Sequence, residues 1–207
     1  MKLQIALDRL SREKCIEVID TVKEHIDIIE IGTGVINEYG LSLVRDIKQL
    51  YPDKKILADL KICDAGESES RNAFEYGADI ITVMSFADPS TIEACVKNAE
   101  KYERETVVDL LNNQSEETLH QLAGINVTSV SLHIGKDQQK DGAVFSPLSR
   151  HIHNFDFNVY VAGGINNENI DDYLKLKPEV VIVGSGITKS ADPASAGEQL
   201  KRKISLY

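Results

Sequence analysis

Asp59-Leu60-Lys61-Ile62-Cys63-Asp64 closes the apolar run Lys55-Ile56-Leu57-Ala58. The spacing is D-x-K-x-x-D. Side chains alternate faces along a strand, so Asp59 and Lys61 are expected to share one face. Asp64 lies three residues on, past the expected strand end. Three charges of alternating sign then gather at one rim. A lysine held among carboxylates is equipped to stabilise an anion that develops during a reaction. A solvated, charge-laced strand end would read the same way in isolation, so the other strand ends decide.

They carry polar residues too. Asp8 follows the run Leu3–Leu7. Glu30 sits inside Ile28-Ile29-Glu30-Ile31, Asp109 inside Val107-Val108-Asp109-Leu110, and His133 ends Val130-Ser131-Leu132-His133. A carboxylate among β-branched residues is costly to bury unless it is paired or holds a metal. Crowded carboxylates suit a hard divalent cation such as Mg²⁺, with Glu30 and Asp59 on adjacent strands as ligands. His133 is the strand-end histidine, and hence the candidate general acid/base near neutral pH. Two glycine turns, Gly163-Gly164 and Gly184-Ser185-Gly186, let backbone N–H groups approach an anion such as a phosphate.

These residues must be positioned by a regular scaffold. Eight short runs read as buried strands: Leu3–Leu7, Ile26–Ile31, Lys55–Leu60, Asp79–Val83, Thr106–Leu111, Val127–Leu132, Asn158–Ala162 and Val180–Val183. They are continuous in Ile, Val and Leu, as strands of a parallel sheet are. Amphipathic segments alternate with them. Ser11 caps Arg12–Glu24, and Leu41–Leu50 follows. Glu67–Tyr76 stops at Gly77, Asp88-Pro89 opens the next helix, and Ser115–Ala123 stops at Gly124. Asn167–Leu176 and Pro193–Ser205 complete the series, with a weak helix over Asp137–Arg150. Strict alternation of strand and helix predicts a single-domain (β/α)8 TIM barrel over residues 1–207, whose site lies at the C-terminal ends of the strands. An open doubly wound sheet is the runner-up, but the first strand ends in Asp8-Arg9-Leu10, with no glycine fingerprint.

The gross properties agree. A chain of 207 residues, 42% hydrophobic, buries one sizeable core. A formal charge of −10 argues against nucleic acid as a partner. No run approaches the roughly 20 apolar residues of a membrane span, and no signal peptide is visible. Cys15, Cys63 and Cys95 are scattered without metal spacing, which predicts buried, inert thiols and a cytoplasmic protein.

Taken together, Asp8, Glu30, Asp59-x-Lys61-x-x-Asp64, Asp109, His133, Gly163-Gly164 and Gly184 resemble the orotidine 5'-monophosphate decarboxylase suprafamily. The stretches Asp27-Ile28-Ile29-Glu30 and Ala58–Gly66 resemble its branch of 3-hexulose-6-phosphate synthases and 3-keto-L-gulonate-6-phosphate decarboxylases. The resemblance covers essentially the whole chain. It implies Mg²⁺ on Glu30 and Asp59, Lys61 as stabiliser of an enediolate, Asp8 orienting Lys61, and His133 handling protons. It further implies a homodimer in which Asp64 reaches the neighbouring site. Gly163, Gly164, Gly184 and Ser185 would bind the phosphate of a sugar phosphate. Asp109, Lys136 and Ser185 depart from the decarboxylase pattern of Glu, Arg and Arg. The implied reaction is therefore aldol addition of formaldehyde to ribulose 5-phosphate. The sister decarboxylation is the alternative, and a non-catalytic sugar-phosphate-binding barrel a remote one.

Overall fold

The structure, a computed structural model, describes residues 1–141 and 151–207. Eight parallel strands close on themselves in chain order. They are β1 (Lys2–Leu7), β2 (Ile28–Ile31), β3 (Lys55–Ile62), β4 (Ile80–Met84), β5 (Glu105–Asp109), β6 (Ser129–His133), β7 (Asn158–Ala162) and β8 (Val180–Val183). Pairing of β1 with β8, through Ile5 opposite Val183, closes the ring. The expected barrel is the observed one.

Each strand has two apolar faces because each lies between two layers. Inward, Ile28, Leu57, Ile80, Val107, Tyr160 and Val180 form the barrel floor. Outward, residues such as Ile5, Ile29, Ile56, Ile81 and Val181 meet the helices in a larger core. The helices are α1 (Arg12–Val22), α2 (Thr33–Tyr39), α3 (Leu41–Leu50), α4 (Gly66–Glu75), α5 (Pro89–Tyr102), α6 (Glu116–Gly124), α7 (Ile170–Leu174), α8 (Ser185–Thr188) and α9 (Pro193–Ser205). Their starts follow the caps in the sequence. Ser11 accepts from Lys14 N, Asp88 from Ser90 N, Ser115 from Thr118 N and Asp192 from Ser195 N. Gly77, with φ of 94°, ends α4 through Gly77 N to Phe74 O and Ala78 N to Ala73 O. No helix among the described residues is long and apolar enough to cross a membrane.

Four differences from the sequence reading have local causes. β3 runs on to Ile62 through a bulge: Ala58 pairs with Ile81 and Ile62 with Val83, so β3 carries two extra residues. Lys61 sits in that bulge in the left-handed region, with φ of 49°. Helix α2 occupies a stretch between β2 and α3 to which the sequence reading assigns no element. Helix α7 is shorter than Asn167–Leu176, because Asn166 Oδ1 accepts from Glu168 N and Asn169 N and holds the chain in a side-chain turn instead. Cys63 is exposed rather than buried, since it lies at the rim beyond the bulge, whereas Cys15 and Cys95 are enclosed. Most of the segment Asp137–Arg150 lies outside the described residues, and its part Gln138–Asp141 is a 3-10 turn.

The turn after β7 depends on glycine. Gly163 has φ of 120°, and a Cβ there would sit 2.5 Å from the carbonyl oxygen of Ile134. Gly163→Ala is expected to lower the unfolding free energy by about 2–4 kcal/mol, combining backbone strain with the clash. Urea denaturation measures this, and an unchanged midpoint would show that the turn opens without cost.

Candidate active site

A cavity of about 580 Å³ opens at the C-terminal ends of the strands, a size suited to a small ligand. Lys61 is at its centre. Its Nζ lies 2.9 Å from both oxygens of Asp59 and 3.1 Å from Asp109 Oδ2. Burial works against the ammonium, but Asp59 and Asp109 outweigh it and hold the Lys61 pKa above its ordinary value. Lys61 is therefore a fixed cation. The bulge gives it this position: its backbone N–H donates to Thr82 Oγ1 at 2.9 Å, and Thr82 Oγ1 in turn donates to Asp59 Oδ1 at 2.8 Å. Thr33, the first residue of α2, donates to Asp59 Oδ2 at 2.9 Å.

Asp109 is 3% exposed, yet burial does not neutralise it. Burial raises its pKa, but the His133 contact, Lys61 and the N–H of Leu111, which donates to Oδ1 at 2.9 Å, together bring it below the ordinary value. His133 Nδ1 lies 3.0 Å from Asp109 Oδ2. A carboxylate can only accept, so Nδ1 carries the proton and Nε2 is the basic nitrogen of the neutral ring. Burial lowers the His133 pKa, but the Asp109 hydrogen bond and charge overcome it and raise the net value. The result is a base strengthened by a buried carboxylate, on the carboxylate that also holds Lys61.

Glu30 faces the same cavity from β2. Burial, then the negative charge of Asp59, pushes its pKa up to about 7. Gln4 Nε2 opposes this by donating to Glu30 Oε2 at 2.6 Å. Among the described residues no group of three His, Cys, Asp or Glu side chains could enclose a metal. Mg²⁺ asks for less: one or two carboxylates, with water and ligand oxygens completing its shell. Glu30 and Asp59 line one cavity from adjacent strands, beside a buried acceptor without a partner at Gln4 Oε1, and that oxygen set fits such a cation.

The remaining expected residues divide into those the cavity gathers and those it does not. Gly163, Gly164, Gly184 and Ser185 line it. Asp8 lines it as well, but its pairing differs from expectation: Asp8 Oδ1 accepts from Gly34 N at 3.0 Å, and Oδ2 lies 3.4 Å from Arg9 Nε. Lys61 is oriented by Asp59 and Asp109 instead, because the bulge swings it toward β4 and β5. Asp64 is exposed at the rim, and accepts from Ala65 N at 2.7 Å.

Several contributors are missing from the sequence reading. Thr82 and Gln4 are inward-facing polar residues in otherwise apolar strands, Ile80-Ile81-Thr82-Val83 and Leu3-Gln4-Ile5, and that break in the pattern was the available signal. Arg9 and Lys189 line the mouth from loops, where periodicity says nothing. Lys136, singled out only as a departure from a pattern, lines it too.

A closed parallel barrel whose C-terminal mouth holds a lysine between two buried carboxylates, with a histidine on one of them, defines a (β/α)8 barrel enzyme. Comparison with known proteins narrows the class. A family model described as "Orotidine 5'-phosphate decarboxylase / HUMPS family" matches residues 1–200. A protein of Bacillus subtilis (strain 168) named 3-hexulose-6-phosphate synthase is 38% identical over 207 residues, covering 99% of both chains. The crystal structure of 3-hexulose-6-phosphate synthase from Salmonella typhimurium aligns with a TM-score of 0.94 and 36% identity, over 100% of this chain and 99% of that one. The crystal structure of 3-keto-L-gulonate-6-phosphate decarboxylase from Vibrio cholerae aligns with a TM-score of 0.90 and 26% identity, over 100% of this chain and 98% of that one. The chain belongs to the orotidine 5'-phosphate decarboxylase / HUMPS family, as the resemblance of its strand ends implied.

The Asp109–His133 pair has a measurable signature. A histidine whose folded pKa is raised above its ordinary 6.5 gains stabilisation that is full below that value and is lost as pH rises through the folded pKa. Asp109→Asn removes the charge. The His133 ring resonances in an NMR pH titration are then expected to shift their midpoint to lower pH. An unmoved midpoint would show that Asp109 does not set the basicity of His133.

Proposed function

We propose that the chain catalyses aldol addition of formaldehyde to D-ribulose 5-phosphate, giving D-arabino-hex-3-ulose 6-phosphate, and the reverse reaction. The observation that carries this reading is the Lys61 ammonium between Asp59 and Asp109, with His133 on the same Asp109. The relatives named 3-hexulose-6-phosphate synthase support it.

The substrate phosphate lies against the backbone amides at Gly163, Gly164, Gly184 and Ser185, within reach of the Lys189 and Arg9 charges at the mouth. Neutral His133 removes a proton from C1 of the ketose, and the C–H electron pair moves toward the C2 carbonyl. Lys61 offsets the charge that develops on the resulting enediolate, from a position fixed before the substrate arrives. C1 then attacks formaldehyde, and the new alkoxide takes a proton from His133. Glu30 and Asp59 would hold Mg²⁺, which when bound supplies Lewis-acid polarisation of the ketone oxygen.

Two subunits share each site. Asp64, past the end of β3, is exposed at the rim of its own barrel, and Phe86, past the end of the adjacent β4, is 59% exposed. A homodimer built on that rim covers both and brings Asp64 to the partner's mouth. One observation keeps decarboxylation of 3-keto-L-gulonate 6-phosphate as a second reading: Lys136 lines the cavity, a cation where that enzyme carries arginine. Decarboxylation reaches a similar enediolate by losing CO₂.

Purified protein given D-ribulose 5-phosphate, formaldehyde and Mg²⁺ is expected to consume formaldehyde, and EDTA to stop it. Persistence of activity in EDTA rejects the cation. Lys61→Ala is expected to lower kcat by about 10²–10³-fold. Formaldehyde left untouched, with CO₂ released from 3-keto-L-gulonate 6-phosphate, assigns the sister reaction. Mixing inactive Asp64→Ala and Lys61→Ala proteins tests the shared site. Random exchange makes half the dimers mixed, each with one intact site, so roughly a quarter of wild-type activity should return; no recovery places Asp64 outside the partner's site.

A further inference from the structure

Gln4 lies in the middle of β1 with its side chain inside the barrel, and it is 0% exposed. Its Nε2 donates to Glu30 Oε2 at 2.6 Å. Its Oε1 is enclosed and has no hydrogen-bond partner among the described residues. The floor beneath is built from Ile28, Leu57, Ile80, Val107 and Val180. A Met or Leu at position 4 would fill the same space and leave no orphaned acceptor. Packing therefore does not account for the amide. Its recorded partner does: Glu30 is a carboxylate that the neighbouring Asp59 repels, and a short donor is what holds it in place.

We infer that Gln4 is a positioning residue of the cation site, an inference that rests on reading Glu30 and Asp59 as cation ligands. Nε2 fixes one oxygen of Glu30, so the other stays available to a divalent cation. Gln4 and Glu30 line the same cavity, so the donor and the carboxylate it holds belong to one site. Outer residues of this kind orient ligands and tune affinity without touching the metal.

The test measures cation binding directly, with Mg²⁺ in calorimetry and Mn²⁺ in electron paramagnetic resonance. The proteins are the full-length wild type, Gln4→Met and Gln4→Asn. Met keeps the volume and deletes the donor, while Asn keeps the amide and withdraws it by one methylene. Both are expected to bind the cation about 10–100-fold more weakly, with circular dichroism showing a folded barrel. The Mg²⁺ concentration for half-maximal rate should rise by the same factor, while the rate at saturating Mg²⁺ stays within about threefold. Wild-type affinity in either folded variant overturns the inference and leaves the cation reading intact. If Gln4→Met does not fold, Gln4→Asn alone decides. A wild type that binds no divalent cation removes the cation reading, and the inference with it.

Discussion

One ammonium group makes this site possible. Asp59 and Asp109 are 7% and 3% exposed, and a carboxylate that deep is costly unless it is paired. Lys61 Nζ lies within hydrogen-bonding distance of both, so the desolvation of two carboxylates is met by one shared cation. The dependence is mutual, since burial works against the Lys61 ammonium and the two carboxylates outweigh it. Removing one member of a buried ionic group commonly costs about 3–5 kcal/mol, because the others are left uncompensated. Net negative charge remains even with Lys61 in place. Two carboxylates around one ammonium, with Glu30 beside them, leave an excess that His133 offsets only when protonated. An electrostatically unfinished site of that sign suits a divalent cation.

The barrel serves this arrangement in two ways. Closure removes every sheet edge and aims eight strand ends at one mouth. The bulge in β3 then breaks the regular ladder at the one place where a lysine must turn aside. A left-handed Lys61 is a strained conformation for a side chain with a Cβ, and Thr82 holds it by accepting its backbone N–H. Thr82 also donates to Asp59, so a single hydroxyl locks the backbone of the cation and the side chain of its partner. The strain is retained at the point where the chemistry is concentrated.

Much of this was legible in the sequence, for reasons that differ by residue. Continuous β-branched runs with capped helices between them specify a parallel barrel, because hydrophobic period and caps are local properties. Asp59, Lys61, Asp109 and His133 stood out because a charge among Ile and Val is anomalous wherever the chain goes. The pairings between them were not legible. Asp8 reads as a partner of Lys61 only while β3 is imagined as regular; the bulge sends Lys61 toward β5 and leaves Asp8 to Gly34 and Arg9. Helix α2 lies in residues 32–40, which carry two glycines near its start and no long apolar stripe, and Val35 buried against the barrel is what holds it there.

The choice of reaction rests on residues away from the central cluster. Aldol addition and decarboxylation can share one enediolate, so in the proposed mechanism Lys61, Asp59 and His133 would serve either. What differs is how the rest of the substrate is gripped. Ser185 offers a hydroxyl and an amide where the decarboxylase pattern has a guanidinium, so in the proposed function the phosphate would be left to backbone dipoles and to side-chain cations around the mouth. Arg9, Lys136 and Lys189 provide these on a chain whose formal charge is −10. Arg9 is paired with Asp8, so Lys136 and Lys189 are the local cations that would attract a small anion on this acidic protein. Asp109, one methylene shorter than glutamate, is short enough to bind Lys61 and His133 with the same oxygen. That geometry couples His133 to Lys61, so in the proposed mechanism proton removal and charge stabilisation would depend on the same carboxylate.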